Sequence, residues 1–275
     1  MKILCPTDFS SCGNTGVEYA ARLAQELKAS LTLIFIQEMY LTEGASMFSG
    51  GQPSSFRESK EADKRLLELS NLIKNEFQIS CNYLLDYSFT SFENKVAATS
   101  NNYDLVVTGT NGTETLNQFY SGSHSYKLAM EAKCPVLIVT DGSQYRGIKN
   151  VVFATSFLKN DAILVEQLDD FINYFNPNLH IVHVSHDESP AAKESFKAFR
   201  NLAAKNLTYK GEVNYQRIVS GEPVDALESY LNKINADILV LSAEKHDFIY
   251  RLFHTNLIKE ITAYNADFPI LIVHK

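Results

Sequence analysis

The residue pattern that points most directly to ligand chemistry consists of three glycines and a serine after an apolar segment. Gly109 and Gly112 are followed by Gly122-Ser123 in a G-x2-G-x9-G-S pattern, directly after the apolar run Leu105–Thr108. Glycine lets a backbone approach a ligand closely and adopt positive φ angles, so such a loop can present N–H groups to a phosphate. The last Gly-Ser opens a predicted helix whose N-terminal N–H groups could face the same anion. The loop contains no lysine, so it is not a Walker A sequence.

Composition disfavours several classes of protein. The 275 residues are 45% hydrophobic and 21% charged, with a net charge of −7, and acidic residues exceed basic ones in both halves. We therefore expect no general nucleic-acid or anionic-membrane partner. No apolar run reaches the roughly 18 to 20 residues of a membrane helix, and the N-terminal residues predict a strand rather than a signal peptide. Four cysteines without CxxC spacing predict thiols in a reducing cytoplasm, with neither a disulfide framework nor a zinc site.

The chain contains two copies of one pattern. The first two matches lie at an offset of 148 residues and the later two at 133 or 134, so the second copy is the shorter one. A repeat of this kind must be recognised before any fold is assigned. The matching pairs are residues 2–10 with 150–157, 30–36 with 178–184, 103–107 with 236–240, and 134–139 with 268–273.

Short β-branched runs alternate with helical segments in each copy. Continuous apolar runs such as 31–36 are typical of parallel strands buried on both faces. Apolar residues in the second predicted helix (Leu66, Leu69, Leu72 and Ile73) share one face. The alternation predicts an α/β fold, with an open parallel sheet in each of two domains. We expect these domains over residues 1–143 and 148–275, joined by a polar, glycine-containing linker.

The repeated pattern and the motifs of its first copy resemble the universal stress protein family, as a tandem member with two such domains in one chain. The resemblance covers essentially the whole length. It rests on Pro6-Thr7-Asp8 after the first strand and on the glycine pattern after the fourth. It implies Rossmann-like domains of the adenine nucleotide α-hydrolase-like type, each with five parallel strands in the order 3-2-1-4-5. It also implies a ligand crevice where strands 1 and 4 end, and an intrachain pseudo-dimer packed through the last strands, 135–139 and 269–273.

The resemblance further implies that the first repeat binds ATP, ADP or AMP. Asp8 would accept from the ribose or the adenine amino group, Thr7 would present its backbone to the base, and Ile36 would wall the adenine. Mg²⁺ or Mn²⁺ is expected to accompany a triphosphate that no lysine neutralises. No catalytic or metal-ligating residue is predicted. The expected nucleotide-binding residues are Pro6, Thr7, Asp8, Ile36, Thr108, Gly109, Asn111, Gly112, Gly122, Ser123, His124 and Ser125.

The second repeat departs from the nucleotide motif at each position. Ser156 replaces Asp8, and Ala243 and His246 stand near the places of the first two glycines, while Asn256-Leu257 replaces the Gly-Ser pair. A β-carbon at each glycine position would obstruct an anion loop, and leucine supplies no hydroxyl. The second repeat is therefore predicted to keep the fold and to have lost the usual nucleotide site.

Plainer interpretations remain open at this stage. Asp8, Ser10 or Ser11 could simply cap the first helix, and Gly109 with Gly112 could form an ordinary turn. A metal site at His180, His183 and His186 is disfavoured, because residues three apart on a strand point to opposite faces. Redox sensing through Cys5 and Cys12 is a further alternative, but no lysine or arginine near them in sequence favours the reactive thiolate.

Three functions follow from these observations. The leading one is a cytoplasmic stress-response regulatory protein that binds an adenine nucleotide in its first repeat. The first alternative is a slow ATP hydrolase, for which the sequence provides no convincing general base. The second alternative is a nucleotide-independent scaffold, in which the second half and the apolar loop Met39–Phe56 would contact an unknown protein partner. For the loop itself, the preferred interpretation is that it folds over the pocket or the domain interface. A homodimer of tandem chains is also expected from the family resemblance.

Overall fold

The computed structural model describes residues 1–38, 54–110, 124–140, 143–155, 164–165, 168–243 and 268–274. These residues form ten strands in one sheet and seven helices. The strands are β1 (Lys2–Pro6), β2 (Ser30–Glu38), β3 (Cys81–Ser88), β4 (Leu105–Thr110), β5 (Val136–Thr140), β6 (Asn150–Ala154), β7 (Asn178–Ser185), β8 (Val213–Val219), β9 (Ile238–Ser242) and β10 (Ile270–Val273). The helices are α1 (Ser11–Leu27), α2 (Ser54–Phe77), α3 (Phe92–Ser100), α4 (His124–Glu131), α5 (Asp169–Phe175), α6 (Pro190–Asn206) and α7 (Pro223–Ile234).

The strand order across the sheet is β3-β2-β1-β4-β5-β10-β9-β6-β7-β8. Strands β1–β5, here called the first half, follow the predicted order 3-2-1-4-5, and β6–β10, the second half, follow the same order in mirror sequence. Neighbouring strands within each half run parallel. The predicted α/β fold class, with an open, largely parallel sheet, is therefore confirmed. The domain limits at residues 143 and 148 remain a prediction.

The two halves meet through their last strands. β5 and β10 pair antiparallel, with Leu137 opposite Leu271 and Ile138 opposite Ile270. All four side chains are buried. This pairing covers two apolar strand edges that would otherwise remain open to other chains, and it joins the halves into one continuous sheet.

A hydrophobic layer covers each face of the sheet. Successive strand residues point to opposite faces, so Ile3 belongs to one layer and Leu4 to the other. The first layer packs α1, α2, α5 and α6 against the sheet, and the second packs α3, α4 and α7. Both layers contain residues of both halves. The chain therefore leaves β1 toward one face of the sheet and leaves β4 toward the other.

The helices follow their sequence signals, with one exception. Ser10 caps α1 by accepting the Gly13 N–H, and Lys28 ends the helix in a left-handed conformation with φ 51°. In α2, Leu66 and Ile73 are buried as predicted, but Leu72 is 55% exposed. The prediction for Leu72 was wrong because a long helix packed on a sheet buries only a narrow stripe.

A repeated aspartate aligns the first and fourth strands of each half. Asp104 accepts the Lys2 N–H at 2.6 Å and donates its own N–H to the Lys2 carbonyl at 2.9 Å. Asp237 does the same in the second half, where it accepts the N–H groups of Lys149 and Asn150 at 2.7 and 2.8 Å. Each carboxylate satisfies backbone donors at the start of a strand, which would otherwise lack partners. The repeat of Asp before an apolar run in the sequence thus has a structural cause.

The segment between the halves is tied to α1. The Tyr145 hydroxyl donates to Glu26 Oε2 at 2.6 Å, and its ring meets Tyr19 edge to face at a centroid distance of 5.1 Å. The Tyr174 hydroxyl of α5 donates to the Glu26 carbonyl. Burial and the neighbouring Glu26 carboxylate raise the pKa of Tyr145, so its phenol remains a donor. The linker is therefore held by specific contacts to the first half.

Candidate functional site

The candidate site lies where β1 and β4 end side by side. These strands are neighbours, with Ile3 beside Leu105 and Leu4 beside Val106. Because their following helices cover opposite faces of the sheet, a crevice forms at the carboxyl ends of the two strands. The described residues predicted at the ends of these strands, Pro6 to Asp8 at the end of β1 and Thr108 with Gly109 in β4, therefore lie at the same edge of the sheet.

The end of β1 forms a tight turn into α1. The Thr7 N–H bonds the Ile34 carbonyl at 2.9 Å, and Thr7 Oγ1 accepts the Phe9 N–H at 3.1 Å. Phe9 has a φ of 62°. Because the sheet occupies the Thr7 N–H, a backbone contact of Thr7 with a base would fall to its carbonyl. Pro6 and Thr7 are buried, whereas Asp8 is exposed.

Asp8 lies against the helix cap rather than forming the cap itself. Its Oδ1 accepts the Ser10 N–H at 2.9 Å and the Ser10 hydroxyl at 2.5 Å. Ser10 in turn caps α1 through Gly13. Of the alternatives that sequence left open for the cap, the structure selects Ser10. Asp8 is thus held in place at the crevice by the residue that starts the helix.

Two glycines, Gly16 and Gly109, allow α1 to approach β4 closely, and a third, Gly13, leaves room for Asp8 in the turn after β1. A β-carbon at Gly109 would lie 1.9 Å from the Cys12 carbonyl oxygen, and one at Gly16 would lie 2.6 Å from the Gly109 nitrogen. A β-carbon at Gly13 would lie 2.5 Å from Asp8 Oδ1. Gly109 is therefore required for packing whether or not a ligand binds there. Sequence reasoning singled out Gly109 but missed Gly13 and Gly16, because the approach of a helix to a distant strand leaves no local pattern.

The end of β4 is tied to the first turn of α4. The Ser125 hydroxyl donates to the Gly109 carbonyl at 3.1 Å, and both Thr108 and Ser125 are buried. Thr108 Oγ1 lies 3.3 Å from the same carbonyl. Ile36 is buried among the apolar residues of the α3 and α4 face. The structure thus brings the N-terminus of α4 to the end of β4, as an anion site at that helix terminus requires.

A buried carboxylate lies beside the N-terminus of α4. Glu93, near the start of α3, is only 3% exposed, with His124 Nδ1 3.3 Å from its Oε2 and Lys127 Nζ 3.4 Å from its Oε1. Burial would raise the pKa of Glu93, but its own backbone N–H, His124 and Ser91 stabilise the ionised form and hold that pKa below its ordinary value. The His124 ring also meets Phe92 edge to face at 6.1 Å. Sequence reasoning missed Glu93, which lies far from the glycine motif along the chain.

Several predicted positions lie outside the described residues. These are the site residues Asn111, Gly112, Gly122 and Ser123, the second-half counterparts Ser156, His246, Asn256 and Leu257, and most of the loop 39–56. Their predicted roles stay predictions. So do the nucleotide roles of the described residues, since geometry alone identifies no ligand.

Two histidines of β7 in the second half, His180 and His183, are among those for which the sequence disfavours a metal site. His183 stands in the place of Phe35, and its Nδ1 lies 2.8 Å from the Thr155 carbonyl. The His180 Nδ1 instead lies 2.8 Å from the Tyr230 hydroxyl of α7. Histidines 180 and 183 therefore have different partners, on different elements.

Metal-binding and thiol chemistry can be assessed over the described part of the chain. Those residues group no three His, Cys, Asp or Glu side chains that could hold a metal ion. All four cysteines are unpaired and buried. Burial raises the pKa of Cys5 beyond its ordinary range and raises those of Cys81 and Cys134 to about 11, which keeps these thiols protonated at neutral pH. None of the described helices combines the length and the apolar character needed to cross a membrane.

Comparison with known proteins identifies the family. The family model described as "Universal stress protein family" matches residues 1–140, about half of the chain. The chain therefore belongs to the universal stress protein family. No curated protein is significantly similar to it.

Solved structures support the fold. The chain is similar to a universal stress protein from Archaeoglobus fulgidus DSM 4304, with a TM-score of 0.73, 18% identity and coverage of 100% of this chain and 96% of that one. It is also similar to a protein from Pseudomonas aeruginosa UCBPP-PA14 provisionally assigned to the same family, with a TM-score of 0.57, 14% identity and coverage of 99% and 92%. A universal stress protein in complex with cAMP aligns with 46% of this chain and 98% of its own, at 19% identity and a TM-score of 0.37. At these sequence identities, the first two similarities concern the fold alone. The TM-score of the third is too low to support an argument.

Proposed function

We propose that this protein is a cytoplasmic stress-response regulator that binds one adenine nucleotide, ATP, ADP or AMP, in the crevice of its first half. The second half contributes the fold and the pseudo-dimer contact without a nucleotide of its own. Binding at the first half would alter the conformation of the chain or its association with a protein partner.

The observation that carries the proposal is the meeting of β1, β4 and two helix N-termini at one crevice. Doubly wound sheets bind ligands where the strand order reverses, and here β1 lies between β2 and β4. The Asp8 carboxylate at one side suits hydroxyl and amino donors. The start of α4, tied to Gly109 by Ser125, suits phosphate oxygens on the other side. The sequence adds the remaining glycines of the motif directly before α4.

The expected Mg²⁺ or Mn²⁺ would be held mainly by phosphate oxygens. Mg²⁺ commonly keeps several waters and binds through one or two carboxylates together with substrate phosphates. Asp8, an exposed carboxylate at the crevice, lies on the side proposed for the ribose and base, so no side chain is assigned to the ion.

Titration calorimetry on the full chain, stripped of nucleotide, tests the proposal. We expect Mg-ATP to bind with a stoichiometry near one. Gly122→Val should abolish binding, because a β-carbon obstructs the anion loop, while Gly221→Val serves as the matched control, since Gly221 has open space at its β-carbon. Unchanged affinity in Gly122→Val would overturn the site assignment. A stoichiometry near two would overturn the assignment of a single site.

Thermal shift provides an independent readout. Ligand at about 100 times its dissociation constant adds about 2.7 kcal/mol to the free energy of unfolding. If ATP, ADP and AMP produce neither heat nor a thermal shift, the nucleotide-independent scaffold becomes the better explanation. Light scattering with and without nucleotide would test the proposed homodimer of tandem chains.

A further inference from the structure

Glu93 and His124 face one another within ion-pair distance beside the N-terminus of α4. Glu93 is ionised and buried, and no donor reaches its Oε2 with hydrogen-bond geometry in the described part of the chain. His124 Nδ1 lies 3.3 Å from that oxygen, slightly beyond the usual hydrogen-bond range. Because an ionised carboxylate can only accept, the proton of a neutral His124 belongs on Nδ1, which leaves the lone pair on Nε2.

The remaining ring nitrogen is accessible to water. The His124 side chain is 73% exposed, although its Nδ1 faces a buried group. On an imidazole ring the two nitrogens point in different directions, so Nε2 faces away from Glu93. Phe92 contacts the ring edge to face and limits its rotation. Lys127 Nζ lies 3.4 Å from the other carboxylate oxygen of Glu93.

His124 also lies at the helix terminus where a phosphate is expected. It is the first residue of α4, and the next residue, Ser125, bonds the Gly109 carbonyl at the end of β4. An anion held by the N–H groups of this terminus would lie within a turn of the His124 side chain. Catalytic contacts in ligand-free proteins are often long and tighten only when substrate binds.

We propose that the first half hydrolyses the terminal phosphate of a bound nucleoside triphosphate, with His124 as the general base and Glu93 as its positioning residue. This inference rests on the proposed nucleotide binding and adds a reaction to it. It also supplies the base that could not be found in the sequence, where Glu93 and His124 lie 31 residues apart.

The reaction step balances without a further reactant. His124 Nε2 takes a proton from water as the water oxygen forms a bond to the γ-phosphorus. The bond from the γ-phosphorus to the bridging oxygen breaks, and its electron pair remains on the β-phosphate, which leaves the diphosphate and inorganic phosphate. The imidazolium, balanced by Glu93, then returns its proton to solvent. Positioned acid–base catalysis of this kind contributes about 10²- to 10⁴-fold to a rate.

Single-turnover phosphate release tests the proposal on the full-length, nucleotide-stripped protein with Mg-ATP. His124→Gln keeps a similar size and a group able to contact Glu93, but it cannot act as a base. We expect it to lower the rate by about 10²- to 10⁴-fold. Affinity for a non-hydrolysable ATP analogue, followed by calorimetry, should fall far less than this rate, because the backbone N–H groups of the helix terminus remain. His186→Gln is the matched control, because His186 is also exposed but lies in the second half, and its rate should equal that of the unaltered protein.

The positioning role of Glu93 needs a readout that a purely structural contact would not change. Glu93→Gln should lower the rate and alter its dependence on pH, with Glu93 on α3 and Lys127 on α4 as the charged groups that face the ring. Nitrogen-15 NMR should show the Nδ1–H tautomer of His124 in the unaltered protein and a loss of that preference in Glu93→Gln. If Glu93→Gln does not fold, His124→Gln and the tautomer of the unaltered protein decide the matter.

Each outcome separates this proposal from the preceding one. Equal phosphate release in His124→Gln and the unaltered protein would overturn the role of His124. Binding of the analogue without phosphate release would overturn hydrolysis and leave nucleotide binding intact. If the analogue does not bind, both proposals fail.

Discussion

Replacement of Gly109 by alanine gives the sharpest test of how the crevice is built. The new β-carbon would lie 1.9 Å from the Cys12 carbonyl oxygen and 2.7 Å from its carbon. Both are backbone atoms in the first turn of α1, so no flexible side chain can move aside. Either α1 or β4 must shift, and both belong to the buried layers of the sheet. Overpacking of a core typically costs 1–3 kcal/mol, and a backbone clash this close places the expected loss at about 3 kcal/mol or more.

Gly221→Ala is the matched control for this substitution. Gly221 has nothing within 4 Å of its β-carbon position and no positive φ, so alanine there should be neutral or stabilise by up to about 1 kcal/mol. Urea unfolding measures the difference, and the midpoint of thermal unfolding should fall by about 6–12 °C for Gly109→Ala at roughly 2–4 °C per kcal/mol. A Gly109→Ala protein within about 0.5 kcal/mol of the unaltered one would refute the close approach of α1 to β4.

Three further changes test other parts of the structure. Asp237→Ala should lower the free energy of unfolding in urea by about 1–3 kcal/mol, because it leaves two backbone N–H groups without their acceptor. Asp104→Ala should cost less, because the Asp104 carboxylate accepts one such group, the Lys2 N–H. Equal costs would contradict this role of the two carboxylates. Because the pKa of Glu93 is lowered in the folded protein, ionised Glu93 stabilises the fold fully above the ordinary glutamate pKa. This stabilisation is lost as the pH falls through the lower pKa of the folded state. Between pH 5 and about 3, the thermal unfolding midpoint of Glu93→Gln should therefore decline less than that of the unaltered protein. Tyr145→Phe removes a hydrogen bond to Glu26 and should cost about 1 kcal/mol, with faster amide hydrogen exchange in residues 143–149; unchanged exchange would show that the contact does not hold the linker.

The fold could be predicted from the sequence because its signals are local and repeated. Apolar runs at fixed offsets identified strands 1, 2, 4 and 5 of each half, and parallel α/β topology leaves few ways to arrange them. The β5 and β10 pairing was implied by the family resemblance, and the structure contains it. The exposed Leu72 and the bound linker residue Tyr145 were not foreseen, since both depend on which surface packs against them and not on their own neighbours in sequence.

The candidate site was predictable only in part. The strand ends could be located, because the motif residues follow apolar runs directly. The contacts between elements could not, since Gly16 meets Gly109 and Glu93 meets His124 only after the chain has crossed the sheet. Glycines inside a predicted helix suggest weak helix propensity and give no indication of the strand that approaches them. A buried carboxylate is equally hard to recognise, because its sequence resembles that of any acidic residue in the first turn of a helix.

The second half differs from the first at the position that matches Gly109. Ala243 aligns with Gly109 and is buried, with its N–H bonded to the Val273 carbonyl at 2.8 Å. In the first half, a β-carbon on Gly109 would lie 1.9 Å from the Cys12 carbonyl oxygen of α1, so the close packing of α1 on β4 requires glycine there. The second half also departs from the motif in sequence at His246, Asn256 and Leu257. Ala243→Gly alone is therefore not expected to restore nucleotide binding, and it should destabilise the chain by about 0.5–1 kcal/mol through the added freedom of glycine in the unfolded state. Calorimetry that found a second nucleotide bound to Ala243→Gly would show instead that this β-carbon alone obstructs a nucleotide site in the second half.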